Sequence, residues 1–203
     1  MTTTLITKAQ KGLVEVEDIT RLAKKPSSRN AELLRDLAAK HDWKQHPCFP
    51  EAPLATWAEI VATYCVDGFD GVALLADDQV KRPLVFGFLE DIPSDQSLAA
   101  TLRIAALELS SATANREMSL KVASALNIFG LSKVKPQGVE AVRDFLHKLL
   151  SVAGDESEIG TVFWALRWYG DEQTIDLIRE FPAMSDHWES ARRAAIRAIK
   201  KRN

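Results

Sequence analysis

The sequence has few of the features that mark secreted or membrane proteins. Its 203 residues include only two cysteines, Cys48 and Cys65, too few for a disulfide framework and compatible with a reducing compartment. An apolar run such as residues 72–76 is far too short to cross a bilayer, and the first residues contain no apolar core of signal-peptide length. We therefore expect a cytoplasmic protein without a membrane partner.

A surplus of basic residues is also missing. The chain has 26 lysines and arginines against 28 aspartates and glutamates, which gives a formal net charge of −2. A general nucleic-acid-binding protein needs a clear basic excess to displace counterions from phosphates, so this composition argues against a nucleic-acid partner. Acids are concentrated in residues 66–95 and bases near the C-terminus. A solvated helix face explains such runs, and steering of a charged partner is the alternative.

Motifs for catalysis, cofactors or metals are lacking as well. The sequence has neither a glycine-rich phosphate loop nor the nucleophile elbow of a hydrolase. His41, His46 and Cys48 are close in sequence, but they have no fourth ligand at the usual zinc spacing. No pair of acidic residues is marked out as catalytic. We predict no catalytic residue, no metal and no cofactor.

Helical periodicity is present along most of the chain. Apolar residues recur every three or four positions, and no segment alternates with period two for long enough to form a sheet. We therefore predict roughly ten helices and no strand. A proline-rich segment over 43–55 interrupts this pattern. A connection of this length is either functional or a clamp on neighbouring helices, and Thr56 with Glu59 at its end has the spacing of a capping box.

Part of the helical pattern is repeated in the sequence. Residues 172–181, EQTIDLIREF, match residues 136–145, PQGVEAVRDF, in one register, and the preceding ALRWYG matches ALNIFG. A single helical hairpin cannot cover its own apolar side, so repeated hairpins must stack on one another. In such a stack Val139 and Ile175 occupy equivalent positions, and we expect both to point inwards.

The repeat resembles the HEAT and armadillo families. WALRWYGDEQTIDLIREF resembles the end of one HEAT helix, its turn and the second helix, and ARRAAIRAIKK resembles the first helix of the next unit. The resemblance covers residues 83–203, whereas residues 1–80 have no clear repeating unit. It implies an all-α fold: a HEAT-like α-α superhelix of about ten helices with an irregular N-terminal part, in a single domain over residues 1–203.

Two acid–Arg–acid triplets occupy the predicted second helices of the repeats. Second helices of HEAT units line the concave side, so the resemblance implies a polar ladder that faces a partner. The triplet residues are Glu140, Arg143, Asp144, Asp176, Arg179 and Glu180. The alternative is ion pairing within each helix, at a spacing of three residues.

Trp164 and Trp168 lie one turn apart on a predicted helix that is apolar on both sides. Such a helix is either a buried middle layer or presents aromatic residues to a partner, so both tryptophans are partner-binding candidates. WALRWY is also similar to a helix of the HEAT-like DNA alkylation-repair glycosylases. That resemblance implies an enzyme in which the tryptophans, with Asp171 beyond them, hold a cationic damaged base.

The sequence as a whole favours a non-enzymatic module that binds another protein. The concrete expectation is a role similar to that of a bacterial immunity or adaptor protein, which occludes its partner. A glycosylase and a structural homo-oligomeric scaffold are the alternatives. The sequence leaves the identity of the partner and the oligomeric state open.

Overall fold

The computed structural model describes residues 2–110, 116–133 and 139–202, with side chains over 4–48, 52–106, 121–133 and 139–202. Within these ranges the chain forms eleven α-helices, a single 3-10 turn and one short β-hairpin, which confirms the predicted all-α fold. None of the described helices combines the length and the apolar character that a membrane span requires. The helices are α1 (Thr2–Gln10), α2 (Val16–Ala23), α3 (Ser28–Lys40), α4 (Leu54–Leu74), α5 (Arg82–Asp91), α6 (Asp95–Ser110), α7 (Arg116–Leu131), α8 (Val139–Val152), α9 (Glu156–Tyr169), α10 (Glu172–Glu180) and α11 (Asp186–Arg202).

The chain divides into two compact units, Met1–Phe88 and Leu89–Asn203. Helix α5 therefore begins in the first unit and ends in the second. The single domain predicted over residues 1–203, with its irregular part over 1–80 and its repeats over 83–203, stays a prediction.

The first unit is organised around α4, which packs against α2 and α3. Trp57 of α4 is almost fully buried, and its indole nitrogen donates a hydrogen bond to Thr20 Oγ1 at 3.0 Å. The ring of Phe88 meets Trp57 edge-on, with 5.8 Å between the ring centroids. One buried aromatic side chain of α4 thus contacts both α2 and α5. Its indole nitrogen hydrogen-bonds to α2, and its ring packs on α5.

Helix α4 is bent at Gly68. The sequence predicts a break at this glycine, and the backbone there has φ 65° and ψ −158°, although the helix continues to Leu74. This combination of angles is accessible almost only to glycine. The residues that follow the bend still bury their apolar side, which includes Phe69 and Val72.

The segment over 43–55 contains a hairpin that the sequence does not predict. Strand β1 (Gln45–His46) pairs antiparallel with strand β2 (Phe49–Pro53). The prediction of no strand is therefore wrong for these residues. Strands of two and five residues are too short to show alternation, and the prolines in β2 obscure what little pattern remains.

This hairpin acts as a clamp rather than as an open loop. The indole nitrogen of Trp43 donates to the carbonyl oxygen of Leu37 at 3.1 Å, in the last turns of α3. The buried His46 ring packs against Trp57, with 5.0 Å between the ring centroids. Helix α4 begins directly after β2, so the predicted capping box at Thr56 is wrong, because Thr56 already lies inside the helix.

In the second unit, the alternate helices α7, α9 and α11 pack side by side. Helix α9 packs against both α7 and α11 and also contacts α8, whereas α10 packs on α11. Helix α6 in turn contacts α7 and α8. This is the arrangement expected when helical hairpins cover one another's apolar sides.

The repeated helices bury most of the residues predicted to face inwards. In α8 these are Val142, Phe145, Leu146 and Leu149, and in α10 they are Ile175 and Ile178. The prediction for Val139 is wrong, because its side chain is 37% exposed. Val139 is the first residue of α8, so it lies at the end of the helix, where neighbours cover it incompletely.

Two glycines allow tryptophans to pack directly on helix backbones. A methyl group at Gly130 of α7 would overlap the side chain of Trp168 on α9. A methyl group at Gly160 of α9 would likewise overlap the indole of Trp188 on α11. The interface of α9 with α7 and the interface of α9 with α11 therefore each contain a tryptophan ring packed against a glycine.

Helix α11 uses two of its arginines to bind free carbonyl groups at helix ends. Arg192 donates to the carbonyl oxygens of Phe181 and Pro182 at 2.7 and 2.6 Å, just beyond α10. Arg202 donates to the carbonyl oxygens of Arg167 and, at 2.7 Å, Gly170, at the end of α9. The last carbonyls of a helix have no partner within it, so these cationic donors satisfy them.

Candidate partner-binding site

The N-terminus of α10 carries a polar network that connects it to α8. Asp171 caps α10, because its Oδ1 atom accepts a hydrogen bond from the backbone nitrogen of Thr174 at 3.0 Å. Its Oδ2 atom lies 2.9 Å from Nη1 of Arg143 on α8. The second contact between these helices joins His147 Nε2 to Thr174 Oγ1 at 3.0 Å. Two polar contacts thus connect α8 to the N-terminal end of α10.

The hydrogen bonds of Thr174 determine which nitrogen of His147 carries the proton. The hydroxyl of Thr174 donates its only proton to Asp171 Oδ1 at 2.9 Å and accepts one from the Asp171 backbone nitrogen at 3.1 Å. His147 must therefore donate to the remaining lone pair through Nε2. Burial and the nearby Arg143 charge lower the pKa of His147 below its usual value, against the opposing pull of Asp171 and Asp144. In this contact Nε2 of His147 therefore carries a proton.

Asp171 is held in its charged form. Burial alone would raise the pKa of its carboxyl group, but the hydrogen bonds from Thr174 and the charge of Arg143 outweigh that effect and lower it. A carboxyl group whose pKa is depressed on folding contributes stability above its unfolded pKa, and this contribution is lost as the pH falls through the folded pKa. The link between α8 and α10 is therefore an acid-sensitive contact.

The arginines of the two predicted triplets make different ion pairs. In α10, Arg179 pairs with Asp176 at 3.1 Å, as expected for ion pairing within a helix. In α8, Arg143 is largely buried and pairs with Asp171 rather than with Glu140. Apart from the two arginines, all triplet residues are exposed acids, and they are Glu140, Asp144, Asp176 and Glu180. The exposed triplet residues are thus four acids and Arg179. Their contact with a partner stays a prediction.

The tryptophans of α9 are half-buried, and both rings contact the guanidinium group of Arg167. The guanidinium carbon of Arg167 lies 5.2 Å from the ring centroid of Trp164 and 4.4 Å from that of Trp168. The indole nitrogen of Trp168 donates to Asn127 Oδ1 of α7 at 2.9 Å. Trp168 is therefore part of the packing between α7 and α9, and Arg167 lies over the rings of both tryptophans.

The histidines and cysteine near the hairpin make local contacts. The backbone nitrogen of Cys48 donates to His46 Nδ1 at 3.2 Å, so one ring nitrogen of His46 is used within the turn. Across the described residues, no group of three or more histidines, cysteines, aspartates and glutamates is arranged to hold a metal ion.

Glu90 of α5 is a perturbed carboxyl group that the sequence analysis missed. Its pKa is raised from 4.5 to about 7, mainly by burial and also by the charge of the neighbouring Asp91, while Lys121 opposes the shift. The signal in the sequence is a single acid directly after the apolar run of α5. Such a residue is usually at the surface, and only the packing of α5 shows that it is largely covered.

Comparison with known proteins gives no assignment. No family model matches the chain, and neither the curated proteins nor the solved structures provide a match.

We expect Asp171→Ala to lower the free energy of unfolding by about 1–2 kcal/mol, because it removes both the helix cap and the partner of Arg143. Chemical denaturation at pH 7 measures the change. Glu172→Ala is the matched control, because the adjacent Glu172 is exposed, and its effect should stay within about 0.5 kcal/mol. Equal effects of the two substitutions would contradict a structural role for Asp171.

We expect Glu90→Gln to stabilise the protein increasingly as the pH rises from 5 to 8. The folded state keeps the Glu90 proton up to about pH 7, whereas an ordinary glutamate loses it near 4.5, so the wild type loses stability across this interval. The gain at pH 8 should be about 1–2 kcal/mol after allowance for partial solvent screening. Thermal denaturation across the pH range measures it. Glu180→Gln, at an exposed acid, should show no such trend, and a parallel trend in both variants would refute the assignment.

Proposed function

We propose that the protein is a non-enzymatic, cytoplasmic binding module in which a HEAT-like stack presents α8 and α10 to a partner protein. The observation that carries this proposal is that two repeated helices, connected by side-chain contacts, carry exposed charges at equivalent positions. Asp144 and Glu180 occupy the same place in the repeat, and both are exposed. The contacts of Arg143 with Asp171 and of His147 with Thr174 connect α8 to the N-terminal end of α10.

A surface formed by folded helices suits protein recognition. Helices that are already fixed lose little conformational entropy on binding, so more of the contact energy is retained as affinity. The exposed acids of α8 and α10 outnumber the exposed bases Lys148 and Arg179, and Arg179 is itself paired with Asp176. A surface with charge of one sign steers a partner of the opposite sign and disfavours others. A protein that occludes a basic surface of its partner, as an immunity or adaptor protein would, fits this description.

The contacts of α9 do not favour the glycosylase alternative. A site that cups a cationic base needs open indole faces, and the guanidinium of Arg167 lies over both rings. Asp171, the expected acid, is paired with Arg143. We therefore propose the binding module and not the enzyme.

The test of this function is affinity capture from the native host with three versions of the chain. The face variant combines Glu140→Lys, Asp144→Lys, Asp176→Lys and Glu180→Lys. The matched control reverses four exposed acids elsewhere, and these are Glu17, Glu32, Asp36 and Asp42. We expect a protein that co-purifies with the wild type and the control but not with the face variant.

Direct titration of the captured protein then measures affinity. We expect the face variant to raise the dissociation constant by at least about tenfold, since it places four repulsive charges in the interface. Its melting temperature should remain close to that of the control, because the reversed residues are exposed. Equal affinity of all three versions would refute the assignment of this face.

A further inference from the structure

The outward side of α11 is uniformly basic. From Arg193 to the end of the helix, every exposed side chain is an arginine or a lysine, and these residues are Arg193, Arg197, Lys200, Lys201 and Arg202. Arg202 binds carbonyl oxygens at the end of α9. The other four, which we call the basic face, recur at helical spacing along one side of α11, and no acidic side chain of the described residues pairs with them. The buried side of the helix is the separate stripe of Ala191, Ala195 and Ile199.

A second surface, formed by residues 66–80, has the opposite character. This segment contains four aspartates and no lysine or arginine. Apart from Gln79, every exposed side chain in it is an aspartate or a large aliphatic residue. The aliphatic residues are Val66, Leu74 and Val80, which are 49%, 69% and 63% exposed. Single exposed aliphatic residues are common, but three beside four acids in one short segment form a surface that is both apolar and acidic.

We propose that the basic face of α11 docks on the residue 66–80 surface of a second copy of this chain. Lysine and arginine have long aliphatic stems that can cover exposed apolar side chains while their charged ends reach nearby carboxylates. In this contact the stems lie over Leu74 and Val80, and the charged ends pair with acids such as Asp67 and Asp77. The basic face thus matches this segment in two respects, because its cations complement the exposed aspartates and its stems complement the exposed aliphatic residues.

The charge distribution of the chain favours a second copy over a polyanion such as nucleic acid. Helix α11 has six basic and two acidic residues, so the rest of the chain, within a total of −2, carries −6. That remainder repels a polyanion as it approaches the basic face, but it provides the acidic surface that a second copy needs. The contact joins two different surfaces, so the copies associate head to tail and form rings or open chains.

Sedimentation velocity over a range of protein concentrations tests this association. We expect the sedimentation coefficient to increase with concentration at about 30 mM salt and to return to the monomer value at about 500 mM, because exposed ion pairs are screened. Arg197→Glu/Lys201→Glu and Asp67→Lys/Asp77→Lys should each raise the dissociation constant by at least about tenfold. The matched control, Arg29→Glu/Arg35→Glu at exposed sites of α3, should associate as the wild type does.

Mixing the two reversed variants makes the test specific. In each variant alone, reversed and unchanged residues of the same charge meet at the contact between two copies. In a mixture, every contact between one variant and the other again brings opposite charges together. We expect the mixture to recover the association that each variant has lost. A wild type that stays monomeric at low salt, or an Asp67→Lys/Asp77→Lys variant that associates as the wild type does, would overturn the proposal. Neither result bears on α8 and α10, so the proposed function is tested separately.

Discussion

The packing of α9 against α7 and α11 is the constraint on which the second unit depends. Helix α9 is apolar on more than one side, so it can be stable only when neighbours cover it. Gly130 and Gly160 let an indole lie directly on a helix backbone at the interfaces with α7 and α11. The close approach of each indole to a glycine sets the spacing of α7, α9 and α11.

The polar contacts of the second helices build on this framework. Because α9 and α11 are fixed, α8 and α10 are brought near enough for Arg143 to reach Asp171 and for His147 to reach Thr174. The same geometry turns the acids of α8 and α10 outwards. A candidate binding surface thus results from the burial of aromatic residues on neighbouring helices, and not from any motif within α8 or α10.

The sequence predicts the helices of this protein better than their contacts. Helix positions follow from periodic apolar residues, so the buried sides of α8 and α10 were largely predictable, and only Val139 at a helix end was misplaced. The hairpin over 45–53 was missed because its strands are too short to show a pattern. The pairing of Arg143 was also missed, because spacing along the chain indicates partners within a helix, whereas Asp171 comes close only through tertiary packing.

The most direct test of this account is the effect of Gly160→Ala on the free energy of unfolding, measured with and without Trp188→Ala. Alanine is intrinsically favoured over glycine inside a helix by about 1 kcal/mol. In the wild type the added methyl group meets the indole of Trp188, so we expect a loss of about 2 kcal/mol. With Trp188→Ala present, the same substitution should be neutral or stabilising. An equal loss in both backgrounds would contradict the claim that indole packing on glycine sets the position of these helices.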